Sequence, residues 1–381
     1  MASTSDSEPW TVGVELELLA PRGRTRADLA HAIADAAGGR VRTTFLVQSE
    51  FAQDPGTPVF DNLTLGFAVE NAEGEWLASC LDDLTLVDDL DPSAEARDGW
   101  YRILSDDRRL LHLIARQCDP AASRMRVLEP LAALFGNEIE AVESETIARV
   151  CDEQGATVAL SVPLPGERER PCEIVTAPLH ERREQTLTEL CNLAAGLGFS
   201  VPVEAATHVH FDGTRLKNGA TIGRLVHVLG TYRSDLRRLV ATNPRCRRLG
   251  DWPRGLYQTA SRPAFAREAW PAVRGDLRAA GLQKYCDFNL LNLLTDRSEK
   301  QTFEVRILPG TMDPDFILRG IRLFEGLLDI CIAGEVEADT QLPPLMTFIS
   351  NLQLPAGDRE YWLERSAGAA RNRWFGFRRS D

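Results

Sequence analysis

Lysine is almost missing from this chain: among 381 residues it occurs only at positions 217, 284 and 300, so nearly every positive charge is an arginine. Histidine is scarce as well, with six in all. Acidic residues outnumber basic ones, 56 to 43, for a formal net charge of −13. A broad electrostatic grip on nucleic acid or on an anionic membrane is thereby disfavoured, although a local basic patch remains open. The eight cysteines, at 80, 118, 151, 172, 191, 246, 286 and 331, contain no CxxC or CxxxC spacing. Neither a zinc knuckle nor a redox dithiol is signalled, and the pattern reads as free thiols in a reducing compartment. No uncharged run approaches the roughly 20 residues that cross a bilayer, and the polar, acidic start "MASTSDSEPW" lacks the architecture of a secretion signal. A cytoplasmic protein with no membrane partner is expected.

Internal repeats, low-complexity tracts and Gly-rich linkers are lacking too, and 44% hydrophobic content is enough for a core of good size. The expectation is a flexible N-terminus over residues 1–10, one large α+β domain over 11–335, and a C-terminal extension over 336–381. Along the chain, "WTVGVELELLAP" reads as a strand and "TRADLAHAIADAAGG" as a helix capped by Thr25 and stopped by its glycine pair. "NLTLGFAVEN" and "EWLASCLDDLTLV" read as paired strands around "NAEGE", and "WYRILSDDRRLLHLIARQC" as a helix from Trp100 to Cys118. Further on, "GATVALSVPLP", "CEIVTAPL", "VPVEAATHVHFDG", "KYCDFNLLNLLT" and "TFEVRILPGT" read as strands. Helices are expected over "ERREQTLTELCNLAAGLG", from Lys217 to Thr242, over "AFAREAWPAVRGDLRAAG" despite Pro271, and over "DPDFILRGIRLFEGLLDICIAG". The mainly antiparallel sheet expected from this order has helices on one side.

Three of these strands share one design. In "THVHFDG" the scarce histidines 208 and 210 alternate with Val209 and Phe211, so on an extended strand both imidazoles leave one face and the apolar pair the other. "GVELELL" does the same with Glu15 and Glu17, and "TFEVRIL" with Glu304 and Arg306. Burying the apolar sides against helices would turn every ionisable doublet toward the open or concave side of one sheet. Clustered carboxylates raise one another's pKa unless a cation neutralises them. Carboxylate oxygens are the ligands Mg²⁺ prefers, and such sites leave positions for substrate phosphates. An arginine beside them suits a phosphate or a transferring phosphoryl group, and imidazole can complete the site. Singly, an ExE is usually solvated charge and an ExR a surface ion pair worth under about 1 kcal/mol. The coincidence of three is what carries the inference.

The order "GVELELL", "CEIVTAPL", "THVHFDG", then "YCDFNLLNLL…TFEVRILPGTMD" resembles the amidoligases, a branch of the glutamine synthetase and glutamate–cysteine ligase fold. The family pattern is a GxExE strand, an E-[IV]-[VT]-[ST]-x-P segment, an HxH strand and a strand with ExR followed by GT. Here it falls on Glu15 and Glu17, Glu173 with Pro178, His208 and His210, Asn289, Glu304, Arg306, Gly310 and Thr311. The resemblance implies a curved antiparallel sheet with helices on its convex side, binding ATP with Mg²⁺ or Mn²⁺ on the concave face. It implies that a small-molecule or peptide carboxylate takes the γ-phosphoryl group and that an amine then displaces phosphate to leave an amide. By the same resemblance Glu15, Glu17, Glu173, His208 and Glu304 are metal ligands. His208, His210, Arg245, Arg247, Arg248, Asn289 and Arg306 are assigned to the nucleotide, and Arg306, Glu304 and Asp83 to catalysis. Two departures stand out: Asp83-Leu84-Thr85 occupies the place of a family D-x-S element, and Glu173 follows a cysteine where the family commonly has glycine.

Rival readings keep the same residues. A zinc hydrolase on the HxH strand would want a third ligand, and after His210 the only further histidine is His227, on an expected helix. A kinase of guanidino groups or carboxylates would keep the fold and change the acceptor, and a non-catalytic nucleotide binder would not need every carboxylate kept. Oligomeric state and the two substrates are not legible at this level.

Overall fold

A computed structural model describes residues 9–49, 61–142, 146–296, 301–337 and 340–376; most of the expected flexible N-terminus and Lys300 lie outside them. The chain forms two compact units, one from Met1–Glu15, Pro178–Thr188 and Glu204–Asp381, the other from Leu16–Ala177 and Glu189–Val203. Strand β1 (Val12–Leu19) contributes its first half to the former and its second half to the latter. Each unit is α+β, with helices and an open, mostly antiparallel arrangement of strands.

The unit built on Leu16–Ala177 carries β2 (Arg40–Ser49), β3 (Asp61–Glu70), β4 (Trp76–Leu81), β5 (Tyr101–Leu104), β6 (Glu140–Val142), β7 (Ile147–Cys151), β8 (Thr157–Pro163) and β9 (Pro171–Thr176). Their order is β1-β9-β4-β3-β5-β8-β7-β6, with β2 also on β3. The expected hairpin around "NAEGE" is present as antiparallel β3 and β4, but β4 stops at Leu81, and Asp82 to Leu90 turn away from it. The stretch read as a helix from Trp100 to Cys118 is a strand over Tyr101–Leu104. Tyr101 and Ile103 alternate buried with Arg102 and Leu104, pairing β5 to β3 and β8. The helix begins only after Asp107, whose carboxylate accepts the Arg109 N–H. Period-2 burial overrode a run that also fits helical spacing.

Helix α1 (Arg26–Ala36) starts as expected at Thr25, whose N–H and O–H both donate to the Asp28 carboxylate. Its first residue was not singled out by sequence. The Arg26 side chain is fully buried: it donates to the carbonyls of Leu65, Arg168 and Pro171, and its guanidinium lies 4.6 Å from the Trp100 ring centroid. The buried Asp82 carboxylate pairs with Arg168 and sits 3.9 Å from Arg26. The same unit holds α2 (Arg108–Gln117) and α3 (Glu129–Leu134), while α4 (Arg183–Gly196) is divided between the two units.

The other unit adds α5 (Gly219–Val240), α6 (Arg254–Ala260), α7 (Trp270–Ala279), α8 (Pro314–Ala333), α9 (Leu345–Ser350) and α10 (Ala356–Gly376) to strands β10 (Ala206–Asp212), β11 (Phe288–Asn289) and β12 (Thr302–Pro309). Strand order here is β11-β12-β10-β1. β10 is shorter than "VPVEAATHVHFDG" suggested, and "KYCDFNLLNLLT" is a two-residue strand followed by a 3₁₀ turn at Leu291–Leu294. Pro271 does not interrupt a helix, because α7 begins at Trp270 and Pro271 occupies its first turn, where no donor is lost. Gly213 ends β10 where a Cβ would lie 2.0 Å from Leu293 Cδ2 and 2.7 Å from the Gln301 carbonyl. α8 is capped by Asp313, which accepts the N–H groups of Asp315 and Phe316, and by left-handed Gly334. It is buried on more than the one side its spacing suggested, since Leu318, Leu323 and Ile330 are buried too. Trp362 of α10, fully buried, donates to the Arg319 carbonyl, and Asp358 pairs with Arg319 and Arg322.

Removing one member of a buried ion pair strands the other's charge, at a cost of about 3–5 kcal/mol. Asp82→Ala should therefore destabilise the protein by about that much in urea unfolding followed by tryptophan fluorescence. A loss under about 1 kcal/mol would mean that Arg26 and Arg168 do not need this carboxylate.

Candidate functional site

The ionisable doublets sit where alternation put them, with Glu15 and His210 half-buried and the other four buried. Glu304, Arg306 and His208 are 3%, 7% and 2% exposed, and Glu17 is 4% exposed. Charged side chains tolerate such burial only when they neutralise one another, and the packing around Glu304 does this.

β10 and β12 run antiparallel with His210 opposite Glu304, and β11 extends the row by placing Asn289 opposite Glu304 on the other side. Asn289, Glu304 and His210 thus form one line across three strands. The Asn289 amide donates to Glu304 Oε2 at 2.7 Å, so this side chain, which the resemblance assigned to the nucleotide, holds the carboxylate in place. Arg306 Nη1 pairs with the other oxygen, Oε1. The register slips between Thr207 and Val209, which leaves Arg306 and Ile307 together opposite His208. An irregularity of this kind re-aims side chains. Here His208 Nδ1 lies 2.8 Å from Glu15 Oε2 and 3.7 Å from Glu304 Oε1. His210 Nε2 lies 3.0 Å from Glu15 Oε1 and 3.8 Å from Glu304 Oε1, while its Nδ1 is 3.1 Å from the Thr302 hydroxyl.

Burial acts to raise the Glu15 carboxyl, but the charge of His210 and the hydrogen bonds of both imidazoles outweigh it and hold Glu15 well below the ordinary carboxylate value. Glu304 is lowered in the same way, burial being overcome by His210 and Arg306. His210 shows the reciprocal effect. Burial opposes its charge, yet Glu15 and Glu304 raise it to about 9. One ligand atom each from Glu15, His210 and Glu304 falls within 4.8 Å of the others, a donor set of two carboxylates and an imidazole that fits a divalent cation.

In the other unit, Glu17, Asp83 and Glu173 likewise offer one oxygen each within 4.8 Å. Asp83 lies in the turn after β4, where its carboxylate accepts the N–H and O–H of Thr85 at 2.8 and 2.6 Å and its carbonyl accepts from Arg168. The Thr85 backbone and hydroxyl thus fix the orientation of the Asp83 carboxylate. Glu173 lies on β9, paired with Leu81, the last residue of β4. Three carboxylates of this kind suit Mg²⁺ better than a softer ion.

Arg245, Arg247 and Arg248 occupy the loop between α5 and α6, with Arg248 over the Tyr285 ring. The loop is tied toward Arg306 through one residue: the Asp287 N–H donates to the Gly250 carbonyl, and the Arg306 N–H donates to the Asp287 carbonyl. Asp287, only 1% exposed, pairs with Arg233 at 2.7 Å and with Arg237 at 3.5 Å. Sequence reasoning passed over Arg233, Arg237, Asp287 and Thr302. The first two sit one helical turn apart in α5, a spacing that marks a shared face but not its partner.

A group whose pKa is raised on folding contributes stability that is complete below its unfolded value and lost as pH rises through the folded one. For His210 that window runs from its ordinary value of 6.5 to about 9. Melting temperatures of wild type and His210→Gln in a chelating buffer should therefore converge from below pH 6.5 to above pH 9. A constant gap across this range would contradict the charge pairing of His210 with Glu15 and Glu304.

No curated protein and no solved structure matches the chain. One family profile does, over residues 8–328: that of the family described as "Putative amidoligase enzyme". The match takes in Glu15, Glu17, Asp83, Glu173, both histidines of β10, Asn289, Glu304 and Arg306, and it supports an amide-forming ligase. The chain belongs to the amidoligase family.

Proposed function

We propose that the protein is an ATP- and Mg²⁺-dependent carboxylate–amine ligase, built on a sheet of the glutamine synthetase type and working in the cytoplasm. The observation that carries this reading is that Glu15 and Glu17, two residues apart on β1, each belong to a three-donor cluster in their own unit. Glu15, His210 and Glu304 would hold one divalent cation, and Glu17, Asp83 and Glu173 another. Bound there, Mg²⁺ supplies charge to offset the phosphate oxygens of ATP and orients the γ-phosphoryl group.

The chain's own residues supply the rest. Arg306, paired with Glu304, would offset charge growing on the transferring phosphoryl group, and Asn289 fixes the Glu304 oxygens so that this charge meets a preorganised environment. The arginines of the loop at Arg245, Arg247 and Arg248 would reach the nucleotide phosphates. A carboxylate oxygen of the substrate forms a bond to the γ-phosphorus and ADP leaves. The amine then bonds to the acyl carbon, phosphate leaves, and the amine's proton passes to solvent or a nearby base. The burial of Glu304 and Arg306 supports this scheme, because an acyl phosphate survives only where water is excluded.

With a non-hydrolysable ATP analogue at 100 times its dissociation constant, wild type should gain about 2.7 kcal/mol of stability, and only when Mg²⁺ is present. Glu304→Gln and the double variant Glu15→Gln/Glu17→Gln should lose most of that gain while keeping their own cooperative melts. Stabilisation of wild type by Zn²⁺ but not by nucleotide would sink the ligase reading in favour of a hydrolase on the β10 histidines. If Mg²⁺ and nucleotide bind as expected, hydroxylamine can stand in for the amine, and ADP release then reports on candidate carboxylates.

A further inference from the structure

In the unit that carries His210 and Glu304, a cleft of about 400 Å³ is lined by Arg278 at the end of α7, by Leu282, and by Leu291, Asn292, Leu294 and Thr295 of the turn that follows β11. This volume lies within the range of small-ligand sites, about 300–1,000 Å³. The turn is tied to the candidate centre at two points. The Leu291 N–H donates to Asn289 Oδ1 at 2.8 Å, and the same amide donates from its other end to Glu304. Asn292 Nδ2 donates to Thr302 Oγ1 at 3.4 Å, and that hydroxyl is the partner of His210 Nδ1. A wall of the cleft is thus positioned by the residues that position Glu304 and His210.

The lining has a definite chemistry. Three leucines offer an apolar bed, and Leu291 is held at its edge 37% exposed. The formal charge in the lining is the Arg278 guanidinium. One of its nitrogens donates to the Leu294 carbonyl at 3.0 Å and forms a loose ion pair at 4.0 Å with Asp296, a carboxylate also held by Arg274, so with its five donors and a side chain 54% exposed it has capacity for a further anion. An ammonium group would be repelled here and an uncharged chain would leave the guanidinium unused.

We propose that this cleft seats the body of the carboxylate substrate, and that this substrate is an aliphatic acid carrying a second anionic group. The far anion pairs with Arg278, the methylene chain lies on Leu282, Leu291 and Leu294, and the reacting carboxylate points to the Glu304 cluster. Leu291 and Asn292 are then specificity-determining residues, and Asn289 and Thr302 positioning residues that set the turn relative to the centre. The inference rests on the ligase reading for which carboxylate reacts.

The test is calorimetric binding of hexanedioate and of hexanoate to the full chain saturated with Mg²⁺ and the non-hydrolysable ATP analogue. Hexanedioate should bind about 10-fold or more tighter than hexanoate, the worth of one charge-assisted hydrogen bond. Arg278→Gln should abolish the preference and leave hexanoate affinity unchanged, Arg278→Lys should keep part of it, and Leu291→Asp should weaken the diacid more than the monoacid. Both positions are exposed, so these variants should keep the wild-type melt. A diacid that binds no tighter than the monoacid, fails to bind at all, or keeps its advantage in Arg278→Gln overturns the assignment of the cleft and leaves the ligase reading standing. Absence of Mg²⁺-dependent nucleotide binding overturns both.

Discussion

Two carboxylates, Glu15 and Glu304, share the same pair of imidazoles, and neither could remain ionised there alone. Burial and mutual repulsion both act to protonate them; His210, His208 and Arg306 act the other way and prevail. That balance depends on register. His210 faces Glu304 because β10 and β12 pair as they do, and the slip between Thr207 and Val209 brings His208 to Glu15 as well. A shift of one residue in either strand would put Phe211 or Val209 where the imidazole belongs and expose the apolar set. The apolar alternation of these strands is thus as much a part of the site as the charges are.

A charge-balanced cluster of this kind is suited to exchange. In the proposed ligase, a divalent cation at Glu15, His210 and Glu304 would take the place of the proton on His210, whose charge already faces both carboxylates. Arg306 has a different standing, since guanidinium cannot be deprotonated and its charge persists through any such exchange. Under the same reading, a permanent cation beside an exchangeable one would suit a reaction in which phosphate charge first builds up and is later released.

The doublets were legible because they are local: period two along one strand places Glu304 and Arg306 on one face whatever lies opposite. The α8 helix was legible for the same reason, through its apolar spacing, while its cap at Asp313 and that of α5 at Asn218 came to light only in the structure. Several features could not be read locally. Burial of the polar faces comes from elements distant in sequence, so its extent could not be read from the strands themselves. The strand at Tyr101–Leu104 also fits a helical pattern, and only its pairing with β3 and β8 decides the matter. Arg26 reads as an ordinary first-turn residue until Asp82, Arg168 and Trp100 are brought to it. Asn289 was noticed through resemblance, yet its role as a clamp on Glu304 depends on a cross-strand row that no spacing along the chain encodes.

The family match ends at residue 328, within α8, while the packing of that helix does not. A Cβ added at Gly326 would lie 3.2 Å from Leu354 Cδ2, and Trp362 is sealed against the Arg319 carbonyl. The segment from Leu345 to Trp362 is therefore fitted to α8 as lid to vessel. A gene trimmed to the family boundary would yield a helix with two greasy sides and a cover for only one, and its product would be expected to clump in the cell whatever the state of its chemistry.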